Sequence, residues 1–264
     1  MNSTLQGVID DIVDQFTVDK AMLRKATDLF TESMNKGLST HTSAREYMPM
    51  IPTFVTSIPS GKETGTFLAG DLGGTNFRVC SVKLNGDHTF EMKQSKFKVP
   101  TTLMENSTGN ELFATLAKRV EIFIKENNLE PASELEFLKL GFTFSFPVDQ
   151  SALNKGSLLR WTKGYNLPDV VGKDIVSLFQ YNLDLLGVNV CVVALANDCV
   201  GTLLSRAFVN DRTKTNGNTV IGCIFGTGTN GAYFEKVENI PKLKGVELDS
   251  SIKRMAVNTE WGSF

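Results

Sequence analysis

Two glycine-rich turns between strand-like segments constrain this chain more than any other feature. The first lies in LAGDLGGTNFRV, residues 68–79, and the second in IGCIFGTGTNGAY, residues 221–233. Around the first, TFLAGDL, NFRVCSVKL and HTFEMKQSKFKV are parted by Gly73-Gly74-Thr75 and Asn85-Gly86-Asp87. That pattern reads as an antiparallel three-strand meander with tight hairpins. A segment with Leu112, Phe113, Leu116, Ala117, Val120, Phe123 and Ile124 at helical spacing follows. Then come a strand over 137–146, a helix holding Ile175, Leu178, Phe179, Leu183 and Leu186, and a buried strand over 188–196. The order βββαβαβ predicts a mixed sheet with helices packed on it, an α/β architecture. Asp198 opens a short helix, and the meander begins again with NTVIGCIF, AYFEKV and MAVNTEW. The repetition is on the scale of a domain, with no short tandem repeat.

Upstream, Leu5, Val8, Ile9, Ile12, Val13 and Phe16 share one helical face. Thr17 reads as the N-cap of a second helix that ends near Gly37. Residues 37–65, with Pro49, Pro52 and Pro59, show little periodicity and are expected to cross the surface as a connector. The formal charge of −2 and pI of about 5.8 give no electrostatic case for nucleic acid or an anionic membrane. The acidic, amphipathic start lacks the basic and apolar regions of a secretory signal, and no apolar run approaches the roughly 20 residues that span a bilayer. Cys80, Cys191, Cys199 and Cys223 sit mostly in strand-like apolar runs with no metal-like spacing and read as reduced core thiols of a cytosolic protein. His41 and His88 stand alone in polar contexts and read as surface residues, so any catalytic base is expected to be a carboxylate.

Four motifs carry chemistry. In AGDLGGTNFR a carboxylate ends a strand and is followed by two glycines, Thr75 and Asn76. Glycine lets a phosphate approach the backbone, and successive N–H groups form an anion nest beside which Asp71 suits Mg²⁺, directly or through water. Two glycines alone would serve a plain hairpin equally well, and the longer D-L-G-G-T-N-x-R string favours phosphate. GTGTNG matches G-x-G-x-x-G, but a strand rather than a helix follows it, which argues against a dinucleotide site. It reads instead as a second phosphate hairpin. Asp198, after Ala194-Leu195-Ala196-Asn197, stands at the C-terminal end of a buried strand, where α/β sheets bind ligands. On position alone it is either a helix cap, the commoner use of such an aspartate, or a general base. The polar excursion over 144–168, with Ser145, Thr162 and Lys163, carries enough aromatic and leucine residues to be ordered and functional.

Together these strings resemble the hexokinase family of the actin-like ATPase superfamily, over about residues 47–264. LAGDLGGTNFRV and IGCIFGTGTNGAY look like its two phosphate motifs, LGFTFSFP and RWTKGY its sugar-loop segments, ALANDCVGTL its catalytic connecting motif, and NTEWGSF a further sugar contact. MIPTFVT, GDHTF and VIGCIFGTGTNG resemble the fungal glucokinase branch. The resemblance implies a ribonuclease H-like, actin-like fold in which 64–197 form a small lobe, 198–264 begin a large lobe, and 1–63 belong to that large lobe. It implies that Asp198 is the general base for the sugar 6-hydroxyl, and that Ser145, Thr162, Lys163, Asn197, Asn230 and Glu260 bind sugar hydroxyls. Lys163 would also stabilise charge on the transferring phosphate. Asp71, Gly73, Gly74, Thr75, Asn76 and Arg78 would hold the phosphates of Mg-ATP, with Gly226, Thr227 and Gly228 opposite. The implied reaction is ATP-dependent phosphorylation of glucose or another hexose, the first step of glycolysis; the alternative is a non-catalytic glucose-binding regulator on the same scaffold. Family members continue well past NTEWGSF through an adenosine motif. The resemblance therefore implies that these 264 residues alone are poorly stable and have negligible kinase activity.

Overall fold

The chain starts with two helices, α1 (Asn2–Phe16) and α2 (Lys20–Ser39), and the computed structural model describes residues 2–40, 48–131, 133, 135–211, 213, 217–226 and 228–264. Thr17 does not cap α2. Its hydroxyl bonds back to the Val13 carbonyl at 2.7 Å, and Asp19 is the cap, accepting from the Met22 N–H at 2.7 Å. A carboxylate satisfies an orphan amide there and favours the positive end of the helix. α2 ends at Ser39, near Gly37 as expected; Gly37 is buried in its last turn, where a Cβ would collide with the Met48 carbonyl.

The predicted βββαβαβ order is observed. β2 (Thr64–Leu72), β3 (Asn76–Asn85) and β4 (Phe90–Lys98) form the antiparallel meander. A short α3 (Thr101–Glu105) precedes α4 (Gly109–Glu126), whose start is fixed by a reciprocal capping box between Thr108 and Glu111. β5 (Leu138–Phe144), α5 (Ile175–Leu185) and β8 (Val190–Ala196) follow, giving the sheet order β4-β3-β2-β5-β8 with β2, β5 and β8 parallel. Between β5 and α5 the expected loop contains a hairpin, β6 (Val148–Ala152) and β7 (Lys155–Leu158). One large core lies between this sheet and α4 and α5, built around Phe77, Phe113, Phe142, Phe144 and Phe179.

A second sheet has the order β1-β11-β10-β9, from β1 (Ile51–Pro52), β9 (Ile221–Phe225), β10 (Thr229–Lys236) and β11 (Arg254–Asn258). The connector expected to cross the surface is buried over Met48–Thr53, because β1 pairs with β11 and the Thr53 hydroxyl donates to the Ala256 carbonyl at 2.8 Å. Proline is tolerated at such a sheet edge, where no ladder donor is needed. α6 (Asp198–Val209) leaves the first sheet and packs on the second so closely that a Cβ on Gly222 would lie 2.5 Å from the Cys199 carbonyl. His88 is not a free surface residue: it is half-buried, with Nδ1 2.9 Å from the Phe208 carbonyl at the end of α6. His41 lies outside the described residues. Among the described residues no helix is long and apolar enough to cross a membrane.

Candidate active site

The parallel register aligns Asp71 with Thr143 and Thr143 with Ala196. The residues that follow, Ser145 after β5 and Asn197-Asp198 after β8, therefore share one sheet edge with Asp71. This is the C-terminal edge of the parallel strands, where open α/β sheets bind ligands.

The commoner reading of Asp198, a helix cap, falls to its neighbour. Asn197 is the N-cap of α6, and its side-chain oxygen accepts from the Cys199 N–H at 3.0 Å. Asp198 is the first helical residue and half-buried; its Oδ1 accepts from the same N–H at 2.9 Å. Asn230 Nδ2 reaches Asn197 Oδ1 at 3.2 Å, Asn258 Oδ1 at 2.9 Å and Glu260 Oε1 at 3.3 Å. Asn258 Nδ2 donates to Glu260 Oε1 at 2.9 Å. Three elements thus meet in one amide–carboxylate network. The turn that bears Glu260 is tied to the second glycine hairpin, since Trp261 Nε1 donates to Thr229 Oγ1 at 2.8 Å.

Lys163 approaches from the long excursion. Its Nζ donates to the Ser145 carbonyl at 2.9 Å, and its stem lies against Gly74 of the first hairpin. The Ser145 and Thr162 hydroxyls have no hydrogen-bond partner among the described residues, while Ser145 is 5% exposed. Lys163 and Glu260 both have left-handed backbones, φ 57° and 51°. Non-glycine residues there cost of order 1–3 kcal/mol, and such strain gathers at functional sites.

Asp71 and Arg78 face each other across the first hairpin and pair at 2.8 Å. Burial pushes the Asp71 carboxyl above the usual carboxylate range; Arg78 opposes the shift, Asp198 adds to it and Lys163 opposes it. Burial likewise raises Glu260, against the Asn258 hydrogen bond and the charges of Arg160 and Lys163, with Asp198 pushing further up. Asp71 and Glu260 are therefore each within electrostatic reach of both Lys163 and Asp198, in partly desolvated surroundings.

Gly73 and Gly74 form the first hairpin with Thr75 and Asn76, and Gly226 and Gly228 flank the second, where the Gly226 N–H donates to the Gly228 carbonyl at 2.9 Å. None of these four glycines has a left-handed φ, and a Cβ on any of them would meet nothing closer than 3.6 Å. Neither backbone conformation nor internal packing requires glycine there. Thr227 lies outside the described residues. Asn258 and Arg160 were not among the sequence candidates. Strand periodicity could not have marked Asn258, because β11 ends there and Glu260 follows in a left-handed conformation.

The two-sheet scaffold, with its mixed five-stranded sheet and glycine hairpins, is the mixed α/β fold of hexokinases, an actin-like ATPase fold. It superposes on a hexokinase from Schistosoma mansoni, solved in complex with glucose, with a TM-score of 0.83 and 36% identity over all of this chain and 56% of that one. The chain belongs to the hexokinase family, whose models match residues 8–208 and 220–264. It is 49% identical over 276 residues to Glucokinase-1 of Saccharomyces cerevisiae and 43% identical over 281 residues to the glucokinase of Aspergillus niger. These alignments cover 97% and 100% of the chain and 55% of each relative. The chain spans about half the length of the curated relatives it matches.

Proposed function

We propose that the protein carrying these residues transfers the γ-phosphoryl group of ATP to the 6-hydroxyl of glucose or a related hexose, in the cytoplasm. The observation that carries this reading is the meeting of Asp198, Lys163 and the Asn197–Asn230–Asn258–Glu260 network at the strand edge that also holds the first glycine hairpin. Asp198 accepts the hydroxyl proton as general base. Asn197, Asn230, Glu260, Ser145 and Thr162 bind the other hydroxyls; the unpartnered hydroxyls of Ser145 and Thr162 suit that role. Both Glu260 tethers fall on Oε1, which leaves Oε2 for the sugar. Lys163 orients the sugar and offsets charge on the transferring group.

The space over Gly228, and over Gly73 and Gly226, where a Cβ would meet nothing closer than 3.9 Å, fits the approach of phosphate oxygens to backbone amides; the Lys163 stem lies beside Gly74. Thr75, Asn76 and Arg78 would donate from the first hairpin and Thr227 from the second. Asp71 would hold Mg²⁺, which typically takes one or two carboxylates plus phosphate oxygens. The bound ion supplies charge neutralisation on the phosphates. Phosphoryl transfer asks the protein mainly for alignment and electrostatics.

A coupled assay for glucose 6-phosphate on the intact protein tests the reading. Asp198→Asn should lower kcat by about 10²–10⁴-fold while glucose binding persists. Full turnover by that variant would remove Asp198 from the role of base.

A further inference from the structure

We propose that Asn258 is a positioning residue of the sugar site, holding the Glu260 carboxylate and the Asn230 amide in the arrangement that accepts the hexose. The inference rests on the reading that Asn230 and Glu260 bind sugar hydroxyls. Asn258 is 3% exposed and ends β11 between two neighbours, paired with Ala232 of β10 and Ile51 of β1. The bonds of its amide run to protein groups: Oδ1 accepts from Asn230 Nδ2 at 2.9 Å and from Cys199 Sγ at 3.3 Å, and Nδ2 donates to Glu260 Oε1 at 2.9 Å. It therefore acts through its neighbours.

The amide has one workable orientation. Flipping it would set its oxygen against the Glu260 carboxylate and its NH₂ against the Asn230 NH₂. Glu260 itself follows β11 in a left-handed conformation, so the ladder does not fix its carboxylate and side-chain tethers must. Through Cys199, the same amide reaches the first turn of α6, next to Asp198. One side chain thus ties the base-bearing helix, β10 and the Glu260 turn together.

Asn258→Asp keeps the shape and exchanges the donor for an acceptor. Two carboxylates now face each other, and one retained proton restores the lost hydrogen bond. The other ionisable groups that act on Glu260 are Asp198, which repels it, and Arg160 and Lys163, which attract it. The neighbouring Cys199 thiol is pushed up by burial and stays neutral across the assay range. In the wild type, glucose binding should weaken as pH falls and Glu260 takes up its proton. In Asn258→Asp the dependence should reverse, with binding improving as pH falls from about 8 toward 6 and the buried pair takes up one shared proton, which burial and the like charge both favour.

The experiment is steady-state kinetics of the intact protein over that range, with melting curves for each variant. Asn258→Asp is expected to raise the glucose KM about 10–100-fold at pH 8, the loss of one hydrogen bond to a charged group, with the ATP KM within about twofold. Asn258→Ser, too short to reach Glu260, should raise the KM similarly without the reversed pH dependence, and it serves if the aspartate melts the sheet. Glu260→Gln separates the two layers of argument. If Glu260→Gln raises the glucose KM while both folded Asn258 variants keep the wild-type KM and pH profile, the positioning role is wrong. If Glu260→Gln itself leaves the KM unchanged, the sugar-site reading fails and the inference with it.

Discussion

Residue identity at the glycines separates what the fold requires from what a ligand requires. Gly222 lies against α6, where a Cβ would approach the Leu203 backbone nitrogen at 2.6 Å. Gly228 has nothing within 4 Å of that position. Gly222→Ala should therefore cost about 1–3 kcal/mol in urea unfolding through overpacking against rigid helix backbone. Gly228→Ala should leave stability within about 1 kcal/mol, since its conformation tolerates a side chain. It should nevertheless raise the ATP KM by obstructing the phosphate. An unchanged ATP KM would remove the second hairpin from the phosphate site. Side chains that announced themselves in the sequence were those in strings of unusual composition, such as Asp71 and Asp198. Asn258 did not, because a single buried asparagine has no local signature, and its importance comes from Asn230, 28 residues away in the chain.

At the scale of elements, one ring joins α5 to three neighbours, beside the buried Ile175, Val176 and Leu183 of the same helix. Phe179 is fully buried and meets Phe142, Phe113 and Phe77 at centroid distances of 4.7, 6.1 and 6.3 Å. It thereby joins α5 to α4, β3 and β5. Phe179→Ala should destabilise the protein by about 3–5 kcal/mol, read as a lower urea midpoint at unchanged slope. A loss below about 1 kcal/mol would mean that the core collapses around the gap. The elements of this layer were legible because buried strands and amphipathic helices impose periods of 2 and 3.6 on the sequence. The elements missed had no such period. β1 is two residues long and exists through backbone pairing with Val257 and Asn258, and β6 and β7 carry the polar residues of an excursion with few buried positions. The start of α2 was misread by two residues because Thr17 and Asp19 are both competent caps, and only the direction of the chain after α1 decides between them.

For the whole molecule, cohesion is unevenly divided. The core between the first sheet and its helices joins β2, β3, β5, β8, α4 and α5. The second sheet is served by two smaller clusters, one around Met48, Met50 and Met255 and one around Cys199, Leu203 and Ala232. Its edge strand β9 exposes Ile221 and, at 82%, Phe225. Polar links from the first sheet's side include Gln150 Nε2, which reaches the Thr53 and Leu195 carbonyls at 3.4 and 3.1 Å, and His88 at the end of α6. Regions with few buried apolar contacts open first, so the amides of β9, β10 and β11 should exchange with deuterium well before those of β2, β5 and β8. Glucose should then change the order. Asn230 lies on β10 and Glu260 directly follows β11, so on the proposed reading a bound sugar opposes any opening of this unit that releases them, by about 2.7 kcal/mol at a hundred times its Kd. Exchange in β10 and β11 should slow about 100-fold under those conditions, while β4, remote from the network, changes little. Uniform slowing across both sheets would instead mean that the two units open as one and that the sugar acts on the whole fold.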